Sequence, residues 1–259
     1  MNQAVIASKV QWKDLVKLSA KEMIIENTIT IPWLAASWIL AYFKLYALAL
    51  PCSFLFFLTA LRQAHNGFHN SLGIDRRGTW IALYINSVLI LSSMHAVKFT
   101  HLRHHKYCIG EKDFEGKCAK LKWYEAILYG PRHIFSIHKA ALTLGNRNYK
   151  KDVLIELSSM IIFIAVIILL NWSFLIYHCI AMIAGEFFSA FFAVWTVHHD
   201  LEEHNIARTQ RTKWKNLITY NMFYHLEHHL FPAVPTIKLP ELAKRIDKAI
   251  PALEKKETF

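Results

Sequence analysis

The sequence predicts an all-α membrane protein with four transmembrane helices in two hairpins, a re-entrant or interfacial helix, and a cytoplasmic helical cap that carries a metal site. Three observations carry that expectation. Apolar and aromatic residues make up 54% of the 259 and charged residues only 19%, and the apolar ones gather in long blocks rather than in the short periodic runs of a soluble domain. Histidine occurs 15 times, more often than Gly (8) or Pro (7). The formal charge of +11 comes from 30 Lys and Arg against 19 acids and falls between the blocks. A disordered chain is excluded because it would be poor in apolar residues. A disulfide scaffold is excluded because the four cysteines, at 52, 108, 118 and 179, form no C-x-x-C pair.

Taken in order, the first element is N-terminal. Lys9, Lys13, Lys17 and Lys21 lie four apart and would share one helical face, with Trp12, Leu15, Val16 and Met23 on the opposite face. That spacing fits a helix lying on an anionic leaflet, and equally a solvated helix end. No cleavable signal is expected, because the first apolar run begins only at residue 31. Ile31–Leu61 contains a single charge, Lys44. Extended to His69 the block is long enough for two crossings of a hydrocarbon core about 30 Å thick. A tight turn between Lys44 and Pro51 is expected, with Pro51 opening the second helix. The spans are placed at 28–46 and 48–69. Thr79–Val97 carries no charge, and Val153–Val197 carries only Glu156 and Glu186. A turn at Asn171-Trp172 divides the latter into spans at 172–198 and 153–170.

Charge sets the topology. Lys98–Lys151 holds twelve Lys and Arg against four acids, which places this loop and both termini in the cytoplasm. A single crossing by 79–97 would put that loop on the wrong side. The segment also contains Asn86, Ser87, Ser92, Ser93 and His95. It is therefore expected to be the re-entrant or interfacial element. Residues 1–259 are read as one domain in an inner or cytoplasmic membrane.

Eight histidines fall in three boxes: His65-x-x-x-His69, His101-x-x-His104-His105 and His225-x-x-His228-His229. On a helix, residues three or four apart share a face, whereas adjacent residues diverge by about 100°. A box with both spacings can therefore reach two neighbouring ions. Imidazole suits Zn, Cu, Fe and Ni. One zinc would use four of these ligands at most.

The three boxes resemble those of the integral-membrane fatty acid desaturase family, which includes lipid hydroxylases and carotenoid ketolases. The most specific stretch is Asn221–Pro235, NMFYHLEHHLFPAVP, and the resemblance covers about residues 30–245. It implies a non-haem di-iron centre held by histidine at the cytoplasmic face of a four-span bundle. O₂ would be the co-substrate, attacking unactivated C–H bonds of a fatty-acyl chain or other lipid. Desaturation is favoured over hydroxylation or ketolation. The implied ligands are the eight box histidines and a ninth from the last span. His198 is preferred to His199 for that place, and His204 is assigned an outer role. The resemblance also gives Asn221 a role in holding a metal-bound water, with a simple helix cap as the alternative.

Carboxylates that accept the second ring proton of a ligand imidazole orient it. Asp113, Glu115, Asp200, Glu203 and Glu227 are the candidates. His95 is a weak candidate ligand, and His133, His138 and His178 read as loop, interface or bundle residues. Glu186, an acid within a span, reads either as the deep end of a substrate cavity or as a buried anchor. No cytochrome, flavin or iron–sulfur motif is found, so an external donor of ferredoxin, rubredoxin or cytochrome type is expected. The basic loop 98–151 could dock that donor or meet anionic lipid. No nucleic-acid partner is expected. A metal transporter would place its ligands at mid-membrane, and a zinc hydrolase would need fewer histidines; both are disfavoured.

Overall fold

The structure is a computed structural model and describes residues 6, 8–201 and 206–258. Helix α1 (Ala20–Thr28) opens on a capping box: the Glu22 carboxylate accepts the Ser19 N–H at 2.8 Å, and the Ser19 hydroxyl accepts the Glu22 N–H at 3.3 Å. It passes through Ile29-Thr30 into α2 (Ile31–Tyr42), and the two make one long apolar element, Ala20–Tyr42. The element begins before residue 28 because a cap in polar sequence starts it, and hydropathy does not register caps. Lys44 takes a left-handed conformation (φ 60°) and reverses the chain into α3 (Tyr46–Phe68), which packs along α2. Pro51 lies inside α3 instead of opening it. There, near the start, it deletes only one intrahelical bond.

The segment around 79–97 is two helices, α4 (Arg76–Ile90) and α5 (Met94–Tyr107), bent by 110°. The break is built from side chains. Leu91 is left-handed (φ 58°), Ser93 accepts the Ala96 N–H at 3.1 Å, and Ser87 Oγ accepts the Met94 N–H at 2.8 Å. Beyond a loop lie α6 (Trp123–Leu128), α7 (Gly130–Leu144) and α8 (Arg147–Leu170). Asn171 (φ 49°) ends α8, and α9 (Ser173–Ser189) continues through a π-helical segment, Ala190–Trp195, to a last turn at Thr196–His198. α8 leans on α4, α5 and α7 more than on its neighbour α9, which packs on α2, α3 and α7. Among the described residues, Ala20–Tyr42, Tyr46–Phe68, Arg147–Leu170 and Ser173–His198 are long and apolar enough to cross a membrane.

The C-terminal region adds α10 (Lys213–Ile218), α11 (His225–Leu230) and α12 (Leu239–Ala249). This cap has its own core, in which Leu226, Leu230, Leu242 and Ile246 are buried together with Ile6, Val10 and Leu15 of the N-terminal region. Each such side chain contributes about 1.5–3 kcal/mol by leaving water. The lysines at 9, 13, 17 and 21 therefore do not line one helical face. Lys13 begins a 3₁₀ turn and Lys17 is extended, because Leu15 is drawn into the cap core.

Candidate metal centre

Each histidine box sits near a helix end. His65 and His69 close α3, His101, His104 and His105 occupy the second half of α5, and His225, His228 and His229 lie on α11. α11 is only six residues long, and its position is fixed through Glu227. That carboxylate is fully buried, accepting from Thr209 Oγ1 at 2.6 Å and from Arg211 Nη2 at 2.6 Å, and Arg211 also pairs with Asp247 of α12 at 3.0 Å. Glu227 thus anchors the helix from behind, and its two oxygens serve Thr209 and Arg211 rather than an imidazole.

The structure brings nine imidazoles together in two groups. His65, His69, His101 and His228 form one set with converging ring nitrogens, and His104, His198, His225 and His229 form the other. His105 joins the first set, its Nε2 lying 3.1 Å from that of His101 and 2.9 Å from that of His228. In the second set His198 Nε2 is 2.9 Å from the Nε2 atoms of both His104 and His225. His229 Nε2 is 3.3 Å from His104 and 3.1 Å from His225. A metal–nitrogen bond of about 2.0–2.1 Å puts neighbouring ligand nitrogens about 2.9–3.4 Å apart, from octahedral to tetrahedral geometry. The observed separations fall in that range. His65, buried with neither ring nitrogen hydrogen-bonded, is an orphan that a metal ion would satisfy.

The opposite nitrogens are held from outside. His104 Nδ1–H donates to Asp113 at 2.7 Å, His101 Nδ1–H donates to Glu115 at 3.0 Å, and His198 Nδ1–H donates to the Ile206 carbonyl at 3.1 Å. Each bond leaves the Nε2 lone pair aimed at the cluster. Asp113 is itself fixed by the N–H groups of Ile109, Glu115 and Gly116, at 2.7, 3.0 and 2.9 Å.

Burial, then the neighbouring His65 and Lys98, push His69 down to about 3. Burial followed by His69 and His104 pushes His105 down to about 2. These imidazoles are neutral, the form that binds metal. Burial opposes charge on His104 as well, but its bond to Asp113 and the charges of Glu115 and Asp113 outweigh that and raise it. The carboxyl of Asp113 is held at about 2 despite burial, chiefly by His104.

His199 is turned away, stacked on Trp195 with centroids 3.9 Å apart and its Nδ1–H bonded to the Trp195 carbonyl. Asn221 lies in a turn in left-handed conformation (φ 64°), outside α11. The four-residue spacing from His225 therefore does not place it on that histidine's face. Asp200, exposed and left-handed (φ 48°), terminates the span. His204 and Glu203 lie outside the described residues. His95 donates from Nδ1 to Glu156 at 2.6 Å, His138 donates to Ile134, and His178 donates to the Leu89 carbonyl at 2.8 Å. His133 is buried away from both groups. Glu186 is a buried residue of α9.

Sequence reasoning passed over a second polar network. Glu26 of α1 pairs with Arg62 of α3 and accepts from Asn66 Nδ2 at 2.8 Å, and Asn66 Oδ1 accepts from both Thr236 N–H and Oγ1. This ties the helix end bearing His65 to the cap bearing α11. Arg62, a charge inside an apolar block three residues before His65, was the signal for it.

A sequence model of the family described as "Fatty acid desaturase" matches residues 37–257. The sphingolipid delta(4)-desaturase/C4-monooxygenase DES2 of Rattus norvegicus is 26% identical over 194 residues, 68% of this chain and 58% of that protein. Its Bos taurus counterpart is 26% identical over 202 residues, covering 70% and 59%. The sphingolipid delta(4)-desaturase DES1 of Mus musculus is 25% identical over 197 residues, covering 70% and 58%. The chain spans less than two thirds of the length of these relatives.

Proposed function

From the premise that this chain belongs to the fatty acid desaturase family, we propose that it is an integral-membrane, non-haem di-iron oxidoreductase that desaturates a lipid acyl chain with O₂. One observation carries the reading: nine imidazoles in two groups, seven of them buried and His69 and His105 half-buried, with ligand-like Nε2 spacings. His65, His69, His101, His105 and His228 would hold one iron, and His104, His198, His225 and His229 the other. The iron pair, when bound, supplies the activation of O₂ that unactivated C–H bonds require. The chain's own residues hold and shield it. Asp113 and Glu115 keep the Nδ1 protons of His104 and His101 in place, and the cap keeps the cluster out of water.

In the membrane, α1–α2 with α3, and α8 with α9, form two hairpins, and α4–α5 is re-entrant, entering and leaving on one face. The bend of 110° and the charge of the loop after α5 support this. Both termini, the cap and the metal centre then face the cytoplasm. Two electrons per turnover come from an external carrier of ferredoxin, rubredoxin or cytochrome type, with the basic loop 98–151 as its docking face. Hydroxylation is the second reading, favoured by the "desaturase/C4-monooxygenase" names of two relatives.

Metal analysis of purified protein tests the proposal, with two irons per chain expected. A single zinc would overturn it. Lipid profiling of cells expressing the chain then separates a new double bond from a new hydroxyl.

A further inference from the structure

A cleft of about 620 Å³ opens between α4, α5 and the start of α8, and its walls include Phe68 and His69 at the end of α3. Arg76 and Lys98 both line it. Neither side chain makes an ion pair or hydrogen bond among the described residues; Arg76 is exposed, and the charge of half-buried Lys98 is disfavoured by burial first and by Arg76 second, with Asp152 opposing both. Asp152 is the one carboxylate lining the cleft. The nearest deeper acid, Glu156, is occupied by His95 and Ser93. Two cations lining one cleft with a single acid leave a net positive charge there, which an oxyanion would offset. The rest of the wall is of another kind. Leu83, Leu102, Trp80 and Phe68 are apolar, and His69, one of the nine imidazoles, lines the same cleft.

Building on the desaturase reading, we infer that this cleft is the substrate's headgroup site, taking a lipid whose polar end is an oxyanion, with Arg76 and Lys98 as its ligands and the chain lying on the apolar wall toward His69. The site selects substrates by combining charge at one end with an alkyl chain at the other. A free anion lacks the apolar contact, and a neutral lipid leaves the cations unpaired.

The test uses the metal-loaded full chain in zwitterionic nanodiscs, with equilibrium dialysis of three probes: dihexanoyl phosphatidic acid, inorganic phosphate and dihexanoylglycerol. The phosphatidic acid is expected to bind at least tenfold more tightly than either of the others. Arg76→Gln and Lys98→Met should each weaken it about tenfold, the loss of one charge-assisted contact, and Lys98→Arg should restore it. Equal binding of the glycerolipid or of inorganic phosphate overturns the inference. So does unchanged binding in both variants at full metal content. Metal content of the same preparations reports on the di-iron reading separately, so the failure of one is distinguishable from the failure of the other.

Discussion

An imidazole has two nitrogens, and in His101, His104 and His198 the two have different neighbours. Nδ1–H is spent on an acceptor outside the cluster while Nε2 points inward. Asp113 should therefore matter without touching the metal. Asp113→Asn keeps the shape but loses the charge and one of the carboxylate's acceptor oxygens. Metal affinity is expected to fall about 10–100-fold, read by chelator competition. The adjacent pair at the end of α9 gives a sharper contrast. His198→Ala removes one of the four nitrogens of its group and should cut bound metal to about half, whereas His199→Ala should leave metal content unchanged. Equal losses in the two variants would show that the stacking of His199 on Trp195 does not exclude it from the centre.

Among the elements, α9 and α7 are held at a separation set by Gly130. A Cβ there would lie 1.7 Å from the Phe187 carbonyl oxygen, a backbone atom that cannot step aside. Gly130→Ala should therefore cost more than the roughly 1–3 kcal/mol of ordinary overpacking. The expected result is a clear fall in the thermal midpoint of the purified protein, with tryptophan fluorescence as the readout. The π segment Ala190–Trp195 acts on the same span. It inserts an extra residue per turn just before His198, so a regular helical projection from the apolar face of α9 cannot give that histidine's direction. Cys118 donates to the Ala190 carbonyl at 3.2 Å and Trp195 Nε1 donates to the Leu121 carbonyl at 2.8 Å, fixing the irregular turn to the loop after the second box.

At the scale of the whole molecule, four separate stretches of chain, near residues 65, 104, 198 and 228, meet at one point. The membrane-facing bundle and the cap core are joined there by the Glu26–Arg62–Asn66–Thr236 network. The proposed topology has all three boxes opening on one side of the membrane, and it can be tested directly. Reporters placed after residue 110 and after residue 206 should both report the cytoplasm. Opposite sides would mean that α4–α5 crosses the bilayer as one broken span.

Much of this was legible in the linear chain. The apolar blocks are long enough to be recognised from length and charge alone, since the hydrocarbon core imposes a minimum helix length. The histidine boxes are legible because i, i+3 and i, i+4 spacings are local properties of a helix. What the sequence could not carry depends on contacts between distant residues. The grouping of nine imidazoles into five and four, the direction of His198 toward the other histidines while His199 stacks on Trp195, and the turn conformation of Asn221 are of this kind. So are the direction of Glu227, spent on Arg211 and Thr209, and the break at Leu91. Each is settled by which donor finds which acceptor once α3, α5, α9 and α11 are packed. The sequence by itself determined a histidine-rich helical membrane protein; tertiary packing decided where each nitrogen points, because hydrogen-bond direction is a property of the assembled site and not of residue spacing.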